Sequence, residues 1–322
     1  MLEKSLEHLR DKNNLLAFSA GVDSSALFFL LLKNEIDFDI AIVDYGKRAN
    51  SSDEVAYAKE LAKTHNKKCF SKTIHLEDKN FEHSAREVRY SFFEEIIRDE
   101  NYENLLTAHQ LNDRLEWFLM QFTKGAGVVE LLGFEFFEKR DNYNLIRPLI
   151  DTPKQKLLDF LKNNSIRYFE DESNSDLKYK RNRFRLEFSN SLLKDYEKGI
   201  IKSFEYLKED KNQLFQLHII KQIDELYILK NSNSDIENLR AIDKIVKKLG
   251  YIISSKQRAE ILRQKEIVIA GKIAVCISDK EIFISPYLKL IMSKEFKEKA
   301  RVLKIPPKIR GYIWHKNILN QI

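Results

Sequence analysis

Leu15-Leu-Ala-Phe-Ser-Ala-Gly-Val-Asp-Ser-Ser-Ala-Leu-Phe-Phe-Leu-Leu-Leu32 is the stretch on which the reading of this chain turns. Leu15–Phe18 has the unbroken apolar character of a short buried strand, and Ser25–Leu32 that of a helix buried on most faces. Between them Ser19, Ala20, Gly21, Val22, Asp23 and Ser24 are, Val22 apart, small or polar. A strand that passes straight into a helix through such residues aims several free backbone N–H groups at one spot, where the helix dipole is positive. That is an anion site, and in nucleotide enzymes the anion is phosphate. Asp23 would repel phosphates unless a cation lies between, so the spacing points to Mg²⁺ with a polyphosphate. The same six residues also read as an ordinary strand–turn–helix with Ser and Asp as helix caps.

On either side the chain alternates strands and helices. Phe38–Val43 and Lys68–Ile74 read as further strands, as does 104–108. Asp53–His65, Ser84–Asp99 and Asp113–Phe122 read as amphipathic helices. This rhythm, without hairpin signals, predicts an open parallel sheet with helices on both faces, a Rossmann-like α/β fold. In such sheets ligands bind beyond the carboxyl ends of the strands. Those ends deliver Ser19–Ser24, then Asp44 with Lys47 and Arg48, then His109 with Asp113. Lys124–Gly133 holds three of the nine glycines and reads as a flexible loop, followed by a short strand stopped at Pro148 and a helix started by Pro153. Five basic residues fall within Lys178–Arg185 and predict a basic helical face.

Beyond about residue 195 the pattern changes. Helices are expected over 196–229, 235–249 and 256–266, then two β runs, Ile273–Ile277 and Glu281–Ser285, spaced as a hairpin. The domain expectation is therefore 1–195 and a smaller α+β domain, 196–322. The net charge of +6 is uneven: residues 241–322 carry 18 Lys+Arg against 7 Asp+Glu, leaving 37 against 42 in 1–240. A basic C-terminal third suits nucleic-acid binding, although the chain is Lys-rich throughout. No apolar run approaches the length that spans a bilayer, and the charged N-terminus does not resemble a signal peptide. The two cysteines, Cys69 and Cys276, read as small buried hydrophobes in a reducing compartment. A cytoplasmic protein without membrane contact is expected.

Taken in order, these motifs resemble a known family. Ser19–Ser25 resembles the SGGxDS signature of the PP-loop (N-type) ATP pyrophosphatases, which cleave ATP between the α- and β-phosphates to adenylate a substrate. Asp44-Tyr-Gly-Lys-Arg-Ala-Asn-Ser, Ala85-Arg-Glu-Val-Arg-Tyr-Ser-Phe-Phe93 and Ala108-His-Gln-Leu-Asn-Asp-Arg-Leu-Glu116 are similar to segments of the tRNA(Ile)-lysidine synthase family. So are Arg147-Pro-Leu and Asp171–Arg185, and more weakly Ile305-Pro-Pro-Lys-Ile-Arg310. Three positions depart from that pattern: Ala20 for Gly, Tyr45 for His and Asn112 for the first of two acids.

The resemblance implies ligation of lysine to C2 of the wobble cytidine of tRNA(Ile) with a CAU anticodon, consuming ATP with Mg²⁺. It implies catalytic roles for Asp23, Arg86 and Asp113, and an ATP site of Ser19, Ala20, Gly21, Val22, Asp23, Ser24 and Ser25, with Asp23 also the metal ligand. His109, Asp113 and Glu116 would bind L-lysine or metal. Lys47, Arg48, Lys180, Arg181, Asn182 and Arg185 would contact tRNA. A PP-loop adenylating enzyme acting on a small molecule, or a nucleotide- or RNA-binding protein on the same fold, fits the first motif as well. The sequence is compatible with a homodimer, and it does not say which acid holds the metal and which serves as base.

Overall fold

The computed structural model describes residues 1–46, 51–74, 81–170, 180–214 and 218–322. Two compact units emerge, Met1–Glu209 and Asp210–Ile322. The expected change at 195 falls inside a continuous helix, Asn190–Leu214, which bends at Tyr196.

The first unit runs α1 (Leu6–Leu9), β1 (Asn14–Ala17), α2 (Val22–Lys33), β2 (Asp39–Asp44), α3 (Ser51–Thr64), β3 (Cys69–Thr73), α4 (Phe81–Glu100) and β4 (Asn104–Leu106). It continues through α5 (Leu111–Phe122), α6 (Val128–Leu131), β5 (Phe137–Lys139), β6 (Asn144–Ile146), α7 (Lys154–Asn163), α8 (Lys180–Phe184) and most of α9 (Asn190–Leu214). Its sheet has the order β3-β2-β1-β4-β6-β5. β1 pairs in parallel with β2 on one side and with β4 on the other, so the strand order reverses at β1. That reversal opens a crevice between the segments leaving β1 and β4.

Strand alternation sends Leu16, Ile40 and Ile42 to one apolar layer with Phe18, Phe28 and Leu31 of the α2 side. Leu15, Ala41 and Leu105 go to the opposite layer, under Phe92, Phe93 and Ile96 of α4. Both faces of the sheet are covered, as the sequence predicts.

One edge departs from the expectation. β5 pairs antiparallel with β6, turning through Arg140–Tyr143, where the Arg140 N–H donates to the Tyr143 carbonyl at 2.9 Å. β5 is a three-residue edge strand, only partly covered, so it lacks the apolar run that betrays its buried neighbours.

The second unit is an antiparallel sheet, β7 (Ile219–Ile223), β8 (Leu226–Lys230), β9 (Glu266–Ile269), β10 (Ile273–Ile277) and β11 (Glu281–Pro286), ordered β7-β8-β11-β10-β9. α10 (Asp235–Lys248) and α11 (Ser255–Gln264) pack on one face. α12 (Lys294–Val302) and α13 (Pro307–Lys316) pack on the other. The expected hairpin is β10–β11, paired Val275 to Ile284. The helix expected to run to 229 is overturned: 219–230 is a hairpin, with Asp224 left-handed in its turn (φ 49°). β8 lies between two strands and is buried on both faces, so Leu226-Tyr-Ile-Leu229 shows no period by which strand and helix differ. No helix among the described residues is long and apolar enough to cross a membrane.

Candidate active site

The segment leaving β1 enters α2 with Gly21 as the N-cap, which has no side chain to accept from the first-turn N–H groups. Those donors face the crevice mouth with the dipole behind them. The loop is locked internally. Ser24 Oγ accepts from the Ser19 N–H at 3.2 Å, donates to the Gly21 carbonyl at 3.2 Å and lies 3.1 Å from Ser19 Oγ. From outside, the Phe169 N–H donates to the Ala20 carbonyl at 2.9 Å. Ala20 is left-handed (φ 57°) and fully buried in the apolar layer beneath the loop, so its methyl group occupies core rather than phosphate space. Ser25 is likewise fully buried, and its hydroxyl has no hydrogen-bond partner among the described residues.

Asp23 sits one residue into α2. Its Oδ1 is shut off from solvent and accepts no hydrogen bond among the described residues. Burial pushes its carboxyl up to about 7, and the neighbouring charge of Asp113 adds to this, with Glu116 contributing; Lys154 and Arg185 pull the other way.

Asp113 and Glu116 come from the first turns of α5, whose start is fixed by a capping box. In it the Gln110 side chain accepts from the Asn112 N–H at 2.6 Å, and Asp113 Oδ2 accepts from the Gln110 N–H at 3.1 Å. Three residues apart, the two acids share a helix face. Arg181 Nη2 donates to Asp113 Oδ1 at 2.5 Å and its Nε to Glu116 Oε2 at 3.1 Å. Arg185 Nε donates to Glu116 Oε1 at 2.7 Å and its Nη2 to Oε2 at 3.2 Å. Burial opposes the Asp113 charge, but Arg181, His109 and the Gln110 N–H outweigh it and hold the carboxyl below its ordinary range. At Glu116, which is 1 % exposed, burial prevails and the carboxyl is raised despite Arg185.

Arg181 and Arg185 were expected to contact tRNA; here they stand against the acids. Asn182 is buried, whereas Lys180 is exposed, its ammonium over the Phe184 ring at 5.4 Å. Lys47 and Arg48 lie outside the described residues. Arg185 opens a five-residue π-helical turn, Arg185–Ser189, a geometry with no sequence signature that often marks functional positions.

His109 closes the β4 side. Its Nδ1 lies 3.0 Å from Thr107 Oγ1 and its ring stacks on Phe134 with centroids 4.9 Å apart. Burial lowers it to about 4, helped by Arg147, Arg181 and Arg86 against the pull of Asp113, so it is neutral at pH 7. Arg86 is exposed on α4 and lies over Tyr90 at 4.9 Å. Sequence reasoning passed over Lys154, the first residue of α7, whose backbone N–H donates to Asn112 Oδ1 at 3.0 Å. Only a helix start after Pro153 marked it.

Residues 1–192 match the PP-loop domain family. A tRNA(Ile)-lysidine synthase of Wolinella succinogenes is 46% identical over 97% of this chain and 96% of its own length. Another, from Helicobacter pylori, is 45% identical over 96% and 91%. The chain belongs to the tRNA(Ile)-lysidine synthase family of PP-loop proteins. Among solved structures, a U34-tRNA thiolase from Methanococcus maripaludis with its [4Fe-4S] cluster superposes with a TM-score of 0.53 at 18% identity, over 65% of this chain and 76% of that one. That likeness is one of fold.

Departures from the synthase motifs have local reasons. Asn112 accepts from the Lys154 N–H and donates to Asn190 Oδ1 at 3.0 Å, tying α5 to α7 and α9. Tyr45 donates its hydroxyl to the Ala85 carbonyl at 3.0 Å, anchoring the end of β2 to α4.

The residues fit Mg²⁺ bound with a nucleotide. Among the described residues no cluster of three or more ligands could cage a metal. Mg²⁺ instead commonly takes one or two carboxylates and completes its shell with phosphate oxygens and water. The orphaned Asp23 oxygen beside an uncapped helix N-terminus is such a half-site.

Proposed function

We propose that this chain ligates L-lysine to C2 of the wobble cytidine in the CAU anticodon of tRNA(Ile), consuming ATP. The observation that carries the reading is the convergence of Asp23, Asp113 and Glu116 on the crevice where the strand order reverses, in a chain related end to end to tRNA(Ile)-lysidine synthases. A protein that only binds phosphate gains nothing from three carboxylates there.

In the first step the cytidine O2 attacks the α-phosphate and pyrophosphate leaves. In the second an amine of lysine adds at C2 and AMP departs with that oxygen. The α2 N–H groups hold the phosphates, and Arg86 neutralises charge at the α-phosphorus. Asp23 would hold Mg²⁺, which when bound screens the polyphosphate from that carboxylate.

Asp113 and Glu116 receive the lysine ammonium, exchanging part of their bonding to Arg181 for it. Neutral His109 borders this pocket without repelling the cation. A carboxylate of the pair takes the proton as the amine attacks. The unpaired anticodon cytidine enters splayed from its loop, as single-stranded RNA is commonly read, with Lys180 and the basic residues of the second unit on the tRNA backbone.

The test is product analysis. AMP and pyrophosphate should form from ATP only when tRNA is present, and the modified RNA only when lysine is added. AMP released at full rate with a small amine and no RNA would contradict the reading.

A further inference from the structure

The Asp23 carboxylate at the mouth of α2 opposes the phosphates that the same helix end attracts. Mg²⁺ held by Asp23 would screen that carboxylate at one point of the polyphosphate, and the pyrophosphate end still calls for a cation supplied by the chain itself. Lys154 is placed to supply it. Two hydrogen bonds join the start of α7 to the start of α5: the Leu111 N–H donates to the Thr152 carbonyl at 3.0 Å, and the Lys154 N–H to Asn112 Oδ1 at 3.0 Å. α7 also packs along α2. The first turns of α5 and α7 therefore meet, and the charge of Asp23 on α2 is felt by Asp113, Glu116 and Lys154 there.

Two features single Lys154 out. Among the described residues its ammonium is in no ion pair, whereas Arg181 and Arg185, the other cations at this cluster, are bonded to carboxylates. It is also a half-buried cation on the first residue of a helix, the end where the dipole disfavours positive charge. A cation held against its own helix, in no ion pair among the described residues and within range of the Asp23 charge, is poised for an anion.

We propose that Lys154 binds the pyrophosphate end of ATP, its ammonium on the β- and γ-phosphates alongside the Mg²⁺ that Asp23 would hold. This rests on the reading of the crevice as an ATP site.

Lys154→Met and Lys154→Arg would be compared with the full-length wild-type chain by equilibrium dialysis against labelled ATP with Mg²⁺. KM values for ATP and lysine, and melting temperatures, would be taken alongside. Charge-assisted contacts of this kind predict about tenfold or more weaker ATP binding for K154M, with the lysine KM within about threefold and recovery in K154R. ATP binding by K154M equal to wild type overturns the proposal. So does an equal loss in both variants, since shape rather than charge would then matter. A wild-type chain that fails to bind ATP overturns the ATP-site reading itself, and the assignment of Lys154 with it.

Discussion

Ala20 stands where a glycine is expected, and its conformation shows how the side chain is tolerated. A left-handed non-glycine costs about 1–2 kcal/mol, offset by about 0.8 kcal/mol for the buried methyl group and by the lower chain entropy of alanine, about 0.5–1 kcal/mol. Ala20→Gly should therefore shift stability by no more than about 1 kcal/mol in urea titration, with the KM for ATP unchanged because the methyl faces the core. Asp23 behaves differently. Its folded carboxyl titrates near 7, above its unfolded value near 4. The folded state thus holds the proton more tightly, and this group's stabilising contribution, complete at low pH, is lost between about pH 4 and 7. In the metal-free, nucleotide-free protein, Asp23→Asn should raise stability at pH 8 by about 1–3 kcal/mol, flatten that pH dependence and abolish adenylation. Thermal melts from pH 4 to 8 check this; an asparagine variant less stable at pH 8 would show that the Asp23 charge is well compensated. The sequence shows that Asp23 falls in the turn between β1 and α2, but not that its Oδ1 is buried without a hydrogen bond among the described residues, because the groups around it come from α5 and α7.

Elements bounded by turn residues or following a strict period are legible in the sequence; those defined by tertiary partners are not. β1 with α2 is legible in the apolar runs around Gly21, whereas β7–β8 is not: β8, buried on both faces, carries no alternation, and β7 is an exposed edge strand without a buried face to mark it. The acid-bearing turn of α5 was legible through its i, i+3 spacing. Its counterions were not, since Arg181 and Arg185 are distant in sequence and the second opens a π turn. The structure ranks them by exposure. Arg185 is 14% exposed at the side chain and Arg181 47%, while Glu116 is enclosed. Removing Arg185 leaves a buried carboxylate with only the more exposed Arg181 as counterion, so Arg185→Ala should cost about 2–4 kcal/mol, with part of the loss recovered in the double variant with Glu116→Ala. Arg181→Ala should cost about 1 kcal/mol or less, much of its bonding being replaceable by water. Chemical denaturation of the four proteins decides it; equal losses for both arginines would mean that they share the clamp.

At the scale of the molecule, charge and chemistry are divided. The described acids and cations of the crevice lie in the first unit, whereas the positive excess lies in residues 241–322, within the second. That division was visible in composition, although the antiparallel architecture beneath it was visible only in part. If the second unit grips the tRNA backbone, its affinity should fall steeply between 50 and 200 mM salt, by about 10³-fold for six phosphate contacts. Filter binding at several salt concentrations measures this, and a flat dependence would remove the basic unit from the RNA interface. The central claim is tested most directly by incubating the purified chain with ATP, Mg²⁺ and labelled lysine, using tRNA(Ile) bearing CAU or initiator tRNA with the same anticodon. The account predicts label in the first RNA alone, with AMP released alongside. Label in neither RNA, or equally in both, would contradict it.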